Sequence, residues 1–376
     1  MELTRKRIKF SGNSLRHELQ QIMNKYFSSR SISDKGNLAM WVKSMVMMLQ
    51  YFGSYILLIQ IYRNTNSEIS HWYALPLVII MGLGYIGIGM CIMHDAAHGA
   101  YSEKKWVNYT LSLVIFFLGN NDTNWKRQHN INHHTDTNIE DHDEDLNAGG
   151  FLRLSEHSKY RKIYRYQHIY CWPIYCFYTL GRFVGEFLRI HTYKKMGLEN
   201  SFSLESSIVE YIKMIIIKAV YLYFMIIIPL QLTSFSVWEV LLGFFIMHAF
   251  SGLTIAIVFQ LAHIVEGAEQ PLPVNGKIKM NWDEHEILTT VNFETNRIVS
   301  WYIGGLNYQV EHHIFPKICH IHYKNISPEF QKGVELFEQK TKKGIKYKFF
   351  PSARSAIASH KRRMKQLGQK PIKIIN

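Results

Sequence analysis

Of the nineteen histidines in this 376-residue chain, seven fall into three short groups with the spacing of ligands. These are His94-Asp-Ala-Ala-His98, His129-Asn-Ile-Asn-His133-His134 and Gln309-Val-Glu-His312-His313. On a helix, residues three or four apart share a face, so His94 with His98, His129 with His133, and Gln309 with His312 or His313 can each aim at one point. Imidazole suits Zn, Cu, Fe or Ni, and seven histidines exceed the four ligands of one tetrahedral ion. The count points to two metals, or to one metal with an outer shell.

His263 stands just past an apolar run, as His94 does, and is a candidate eighth ligand. His248 sits inside that run without a paired histidine and reads as a hydrogen-bonding packing residue, although polar groups inside membranes are often functional. The acidic stretch Thr135 to Asp145 has two readings, a source of carboxylates that orient metal-bound imidazoles or a solvated charged loop. His142 within it is left unassigned.

The elements that must position these groups are apolar. A mean hydropathy of -0.09 hides strong segregation, with long uncharged runs alternating with very basic ones. Four runs, 40–62, 72–93, 214–232 and 237–260, are long enough as helix to cross a bilayer of about 30 Å. They define a membrane domain over 40–330, preceded by a basic arm, 1–39, that reads equally as lying against lipid headgroups or as a solvated terminus, and followed by a basic tail, 331–376. The arm carries eight basic residues and the first linker only Arg63, so the positive-inside rule puts both termini in the cytosol. Four crossings then bring all the histidine groups to one cytosolic side. Between the first two groups, Val107 to Gly119 is too short to cross and reads as interfacial or re-entrant.

Other features are weaker. Gly82-Leu-Gly84-Tyr-Ile-Gly87 matches a dinucleotide fingerprint only formally, because it lies inside an apolar span; small residues there suit close helix packing. Cys171 to Ile190, broken by Arg182, Glu186 and Arg189, reads as an amphipathic helix on the interface. The net charge of +14 calls for an anionic membrane surface or partner, and no nucleic-acid module accompanies it, so no nucleic-acid partner is expected. Four cysteines without Cys-x-x-Cys spacing read as ordinary thiols, and no cleaved signal peptide is expected at the start.

The ordered boxes, the four spans and His263 together resemble the membrane fatty acid desaturase family from about Met40 to Ser327. The likeness extends to Phe259-Gln-Leu-Ala-His263, Thr289-Thr-Val-Asn-Phe293 and Gly304 to Pro316, which resemble a bacterial acyl desaturase branch. It implies an all-α integral membrane protein whose four transmembrane helices carry a cytosolic helical cap with a histidine-rich dimetal site, in a bacterial inner membrane. It also implies two non-haem Fe ions, O2 as co-substrate, and a cis double bond inserted into an acyl-CoA or acyl-lipid chain. Carried over by position, His94, His98, His129, His133, His134, His263, His312 and His313 match iron ligands.

Gln309 stands where many relatives have histidine, a pattern that resembles front-end desaturases. No cytochrome b5 motif is fused to the chain, so the resemblance implies a separate donor of ferredoxin or cytochrome b5 type. A di-iron hydroxylase or ketolase is the nearest alternative. A metal transporter would need polar groups along its spans, and a zinc hydrolase would need fewer ligands.

Overall fold

The computed structural model describes residues 8–10, 14–63, 69–195 and 207–370. Arg5, Lys6 and Arg7 of the arm, the middle of the first linker and Lys373 of the tail lie outside them. The described chain is helical apart from isolated bridges and one parallel pair of two-residue strands, Asn292–Phe293 with Phe349–Phe350. It divides into two compact units. Among the described residues the first holds Gly36–Lys126 and Tyr175–Ala256, and the second holds those of Lys6–Lys35, Arg127–Ile174 and Ile257–Asn376.

Among the described residues, four helices are long and apolar enough to cross a membrane: Leu38–Tyr62, His71–His98, Ile208–Leu232 and Val237–His263. The first begins where the Asn37 side chain accepts from the Met40 amide at 3.2 Å, satisfying an amide with no partner in the helix. The second runs further than its uncharged stretch, so His94 and His98 form its last turn. It ends at Gly99, whose φ of +73° suits glycine. His263 is likewise the last residue of the fourth helix.

Within the first unit, a Cβ added at Gly84 would overlap the backbone of Tyr51, and one at Gly87 would overlap Met47. The glycine run therefore lets the first two spans approach closely, as expected of small residues in membranes. His248 is fully buried, with Nε2 2.9 Å from the Tyr221 hydroxyl and Nδ1 3.0 Å from Thr179 Oγ1.

The stretch expected as one amphipathic helix is two, Gln167–Cys176 and Tyr178–Lys195. Its Glu186 does not face the interface. It is buried and paired with Lys218 of the third span at 2.7 Å, while accepting from the Asn121 amide at 3.0 Å. A buried charge persists only with such partners.

In the second unit the arm is not a separate element. Ser14–Ser29 is a helix whose Leu15, Leu19, Met23 and Phe27, four apart on one face, enter a core with Ile326, Phe330, Val334 and Phe337 of Tyr323–Thr341. Val310 and Ile314 of the third histidine box belong to that core. The tail is also built in. Ile345 joins the same core, Phe349–Phe350 pairs with Asn292–Phe293, and His360 of the helix Ala353–Leu367 is buried against the Ile264 carbonyl at 2.7 Å. Counting basic residues shows charge but not the apolar positions between them.

Candidate metal centre

Three imidazoles of the second unit form a nearly equilateral triangle. Ring centroids are 4.8 Å apart for His133 and His263, and 4.9 Å for each of these with His313. One nitrogen of each ring lies within 4.8 Å of the others. The three come from separate elements: the π-wound segment Arg127–His133, the end of the helix Val237–His263, and the short helix Gln309–Ile314.

Each ring has its Nδ1 occupied from behind. His133 Nδ1 lies 3.0 Å from Asp143 Oδ2, His313 Nδ1 lies 2.7 Å from Glu286 Oε2, and His263 Nδ1 faces the Thr289 carbonyl at 3.4 Å. An acceptor at Nδ1 fixes the proton there and leaves the Nε2 lone pair for a metal. The Nε2 atoms of His133 and His263 are buried without a hydrogen-bond partner. A buried unpaired acceptor costs about 1–3 kcal/mol, which a bound cation would remove. These residues therefore fit a transition-metal ion that prefers imidazole.

The electrostatics favour the same occupant. Burial alone would lower the pKa of His133, but the Asp143 carboxylate, with Asp145 and Glu286 beyond it, pushes it up to about 9. Burial works against the charge of Asp143, yet His133 and the amides of Asn138 and Asp145 hold its pKa below the usual value. Burial pushes the Glu286 carboxyl well above its ordinary range, against the pull of Thr137 and His133. A dry pocket backed by the Asp143 carboxylate is one in which a positive ion is stabilised, and a cation there would draw Glu286 toward its charged form.

A second imidazole group adjoins the first within the same unit. His129 and His134 meet at 3.3 Å between their Nε2 atoms. Adjacent nitrogens on one ion are about 2.9–3.4 Å apart for metal–nitrogen bonds of about 2.0–2.1 Å. The π winding of Arg127–His133 explains the pairing, because it brings residues about five apart onto one face, while His129 still stacks on His133 with centroids 5.4 Å apart. The α-helical spacing read from sequence identified only the second of these contacts. His312 lies 4.6 Å from His134 and 6.1 Å from His129, and its Nδ1 is 3.1 Å from the Tyr323 hydroxyl.

In the first unit, His94 and His98 are both buried with centroids 4.8 Å apart, and the Trp125 ring lies 5.8 Å from the first and 6.2 Å from the second. Gln309 is buried on the third-box helix, with its amide nitrogen unpartnered. His142 turns to Asp136 at 3.3 Å. Sequence reasoning missed Glu286 and Tyr323. Glu286 lies three residues before the Thr289 motif, but a single glutamate carries no spacing that marks it.

A sequence model of the fatty acid desaturase family matches residues 70–338. The sn-1 linoleoyl-lipid 6-desaturase of Arthrospira platensis is 31% identical over 95% of this chain and 93% of its own length. The enzyme of the same name from Synechocystis is 30% identical over 98% of this chain and 99% of its own. An acyl-lipid (8-3)-desaturase of Physcomitrium patens is 28% identical over 93% of this chain and 71% of its own length. The match covers more than half of the chain and includes both histidine groups of the second unit, and the first two relatives align almost end to end; the chain accordingly belongs to the fatty acid desaturase family, as an oxidoreductase that desaturates fatty acyl chains.

Proposed function

We propose that the chain is a front-end acyl-lipid desaturase, acting on the acyl chain of a membrane lipid between an existing double bond and the carboxyl end. The observation that carries this reading is near-full-length similarity to two enzymes named sn-1 linoleoyl-lipid 6-desaturase, in a chain with glutamine at position 309. One ion is assigned to His133, His263 and His313. The sequence resemblance also matches His94, His98, His129, His134 and His312 to iron ligands, with Gln309 as a weaker ligand or a partner of bound water.

A bound pair of iron ions would supply the O2-activating chemistry. In the overall reaction a CH2–CH2 unit loses two hydrogens, and O2 leaves as two waters after taking up these, two electrons and two protons. The electrons come from a separate donor of ferredoxin or cytochrome b5 type. The chain's own residues hold the imidazoles by their Nδ1 atoms and keep the centre dry. Such exclusion of water suits an oxidising reaction at an unactivated carbon. The reacting carbons offer no polar handle, so positioning sets which pair reacts. By parity of four crossings, the histidines and both termini lie on the cytosolic side of a bacterial inner membrane.

The test is expression in a host supplied with saturated and linoleoyl lipids, with co-expressed donors, and location of new double bonds by mass spectrometry. A new bond on the carboxyl side of an existing one supports the proposal. A hydroxylated product moves the chain to the hydroxylase reading, and a new bond on the methyl side removes the front-end assignment.

A further inference from the structure

A cavity of about 250 Å³ lies in the first unit, at the end of the spans away from His94 and His98. Its walls come from all four spans and include Val78, Met81, Met225, Pro229, Gly243 and Met247. Met81, the deepest of these on the second span, is separated from His94 by about 20 Å of helix at about 1.5 Å per residue. The cavity is therefore no part of the histidine centre.

Its chemistry is almost wholly apolar, and its few polar groups are already engaged. His71 Nδ1 lies 2.7 Å from Glu239 Oε1, His71 Nε2 lies 3.1 Å from Ser234 Oγ, and the other Glu239 oxygen accepts from the Ser236 amide at 2.8 Å. The Tyr55 hydroxyl donates to the Phe224 carbonyl. Water needs two to four partners, and the walls offer almost none. A hydrocarbon chain needs none and gains by contact with methionine and aliphatic side chains.

One end of the lining, with His71, Trp72 and Glu239, is at the level where a lipid headgroup would sit. Trp72, Tyr73 and Trp238, 71–79% exposed, mark that end of the helices as an aromatic belt. The polar pair is partly exposed, His71 at 34% and Glu239 at 40%. The Glu239 carboxylate would repel the carboxylate of a free fatty acid and tolerate a headgroup ammonium.

We propose that this cavity binds one acyl chain of a bilayer phospholipid in the leaflet opposite His94 and His98, as a site separate from the acyl chain that is desaturated. The proposal rests on the four helices spanning a bilayer and not on the reaction assigned above. A Cβ at Gly243 would come no closer than 3.7 Å to Val78 Cγ2, so a larger side chain there can grow into the cavity without disturbing the backbone.

The experiment is native mass spectrometry of the full chain released from nanodiscs containing phosphatidylethanolamine. The wild type should retain one phospholipid. Gly243→Phe should retain at least tenfold less, with unchanged desaturase turnover. Retention of none by the wild type, or equal retention by the variant, would overturn the site.

Should Gly243→Phe fail to fold, the wild type can be labelled with phosphatidylethanolamine bearing an acyl-chain diazirine. Adducts should concentrate on Val78, Met81 and Met247. Even labelling of outward residues such as Met45 and Ile215 would overturn the site, and equal labelling by a free diazirine fatty acid would overturn the choice of phospholipid. Absence of turnover in a wild type that retains the phospholipid would bear on the assigned reaction alone.

Discussion

Glu286 Oε2 lies 2.7 Å from Nδ1 of His313, and both side chains are wholly buried. The same carboxylate oxygen accepts from Thr137 Oγ1 at 2.8 Å, which ties the stretch after the second histidine box to the third box through one acidic group. A carboxylate behind a liganding imidazole orients the ring and raises its basicity.

Glu286→Gln should therefore weaken metal binding by about 10–100-fold while leaving the chain inserted and helical. Chelator competition on the purified protein measures this. Wild-type affinity in the variant would show that Glu286 only fills space.

His133→Ala and His248→Ala separate ligand from packing residue. The first should abolish turnover and lower the metal content of inserted protein. The second should keep both, with a stability loss on the order of 1 kcal/mol from two interhelical hydrogen bonds. Normal turnover in His133→Ala would remove the metal-centre assignment, and loss of metal in His248→Ala would make that residue a ligand.

The tail should matter to the centre it packs behind. Tyr347 donates to Glu311 at 2.6 Å, in the box between Gln309 and His312, and His360 bonds the carbonyl of the residue after His263. Tyr347→Phe should cost about 1–3 kcal/mol by leaving Glu311 short of a donor. Truncation after Thr341 should lose bound metal as well. A truncated chain with full metal content and unchanged thermal stability would sink this reading.

Acidification should destabilise the second unit. Burial, only partly offset by hydrogen bonds to the Thr137 and Ile264 carbonyls, brings the pKa values of His285 and His360 down to about 4. Unfolded histidine titrates near 6.5, so between about 6.5 and 4 the unfolded chain binds more protons and stability falls as pH falls. Thermal melts at pH 7 and pH 5 should show a lower midpoint at pH 5. Replacing His360 with Gln should shrink the difference, and an unchanged difference would exclude His360 as a contributor.

Local patterns along the chain mark the spans and group the candidate histidines. Uncharged runs of about twenty residues leave few options but membrane helices, and His-x3-His spacing is local, set by helical geometry within one turn. The grouping of His94, His98, His129, His133, His134, His312 and His313 as candidates came from that spacing, and His263 was added by its place at the end of a span.

Which groups meet across long separations is settled only by folding. That His133 sides with His263 and His313, that Glu286 backs His313, and that Leu15 and Tyr347 reach the core of the third box are facts of packing. No period in the chain encodes them. The π winding that brings His129 to His134 is equally silent in sequence, because it depends on how the segment is held at both ends. The Glu186–Lys218 pair makes the same point: each charge alone reads as exposed, and burial becomes affordable only once folding has brought the other to it.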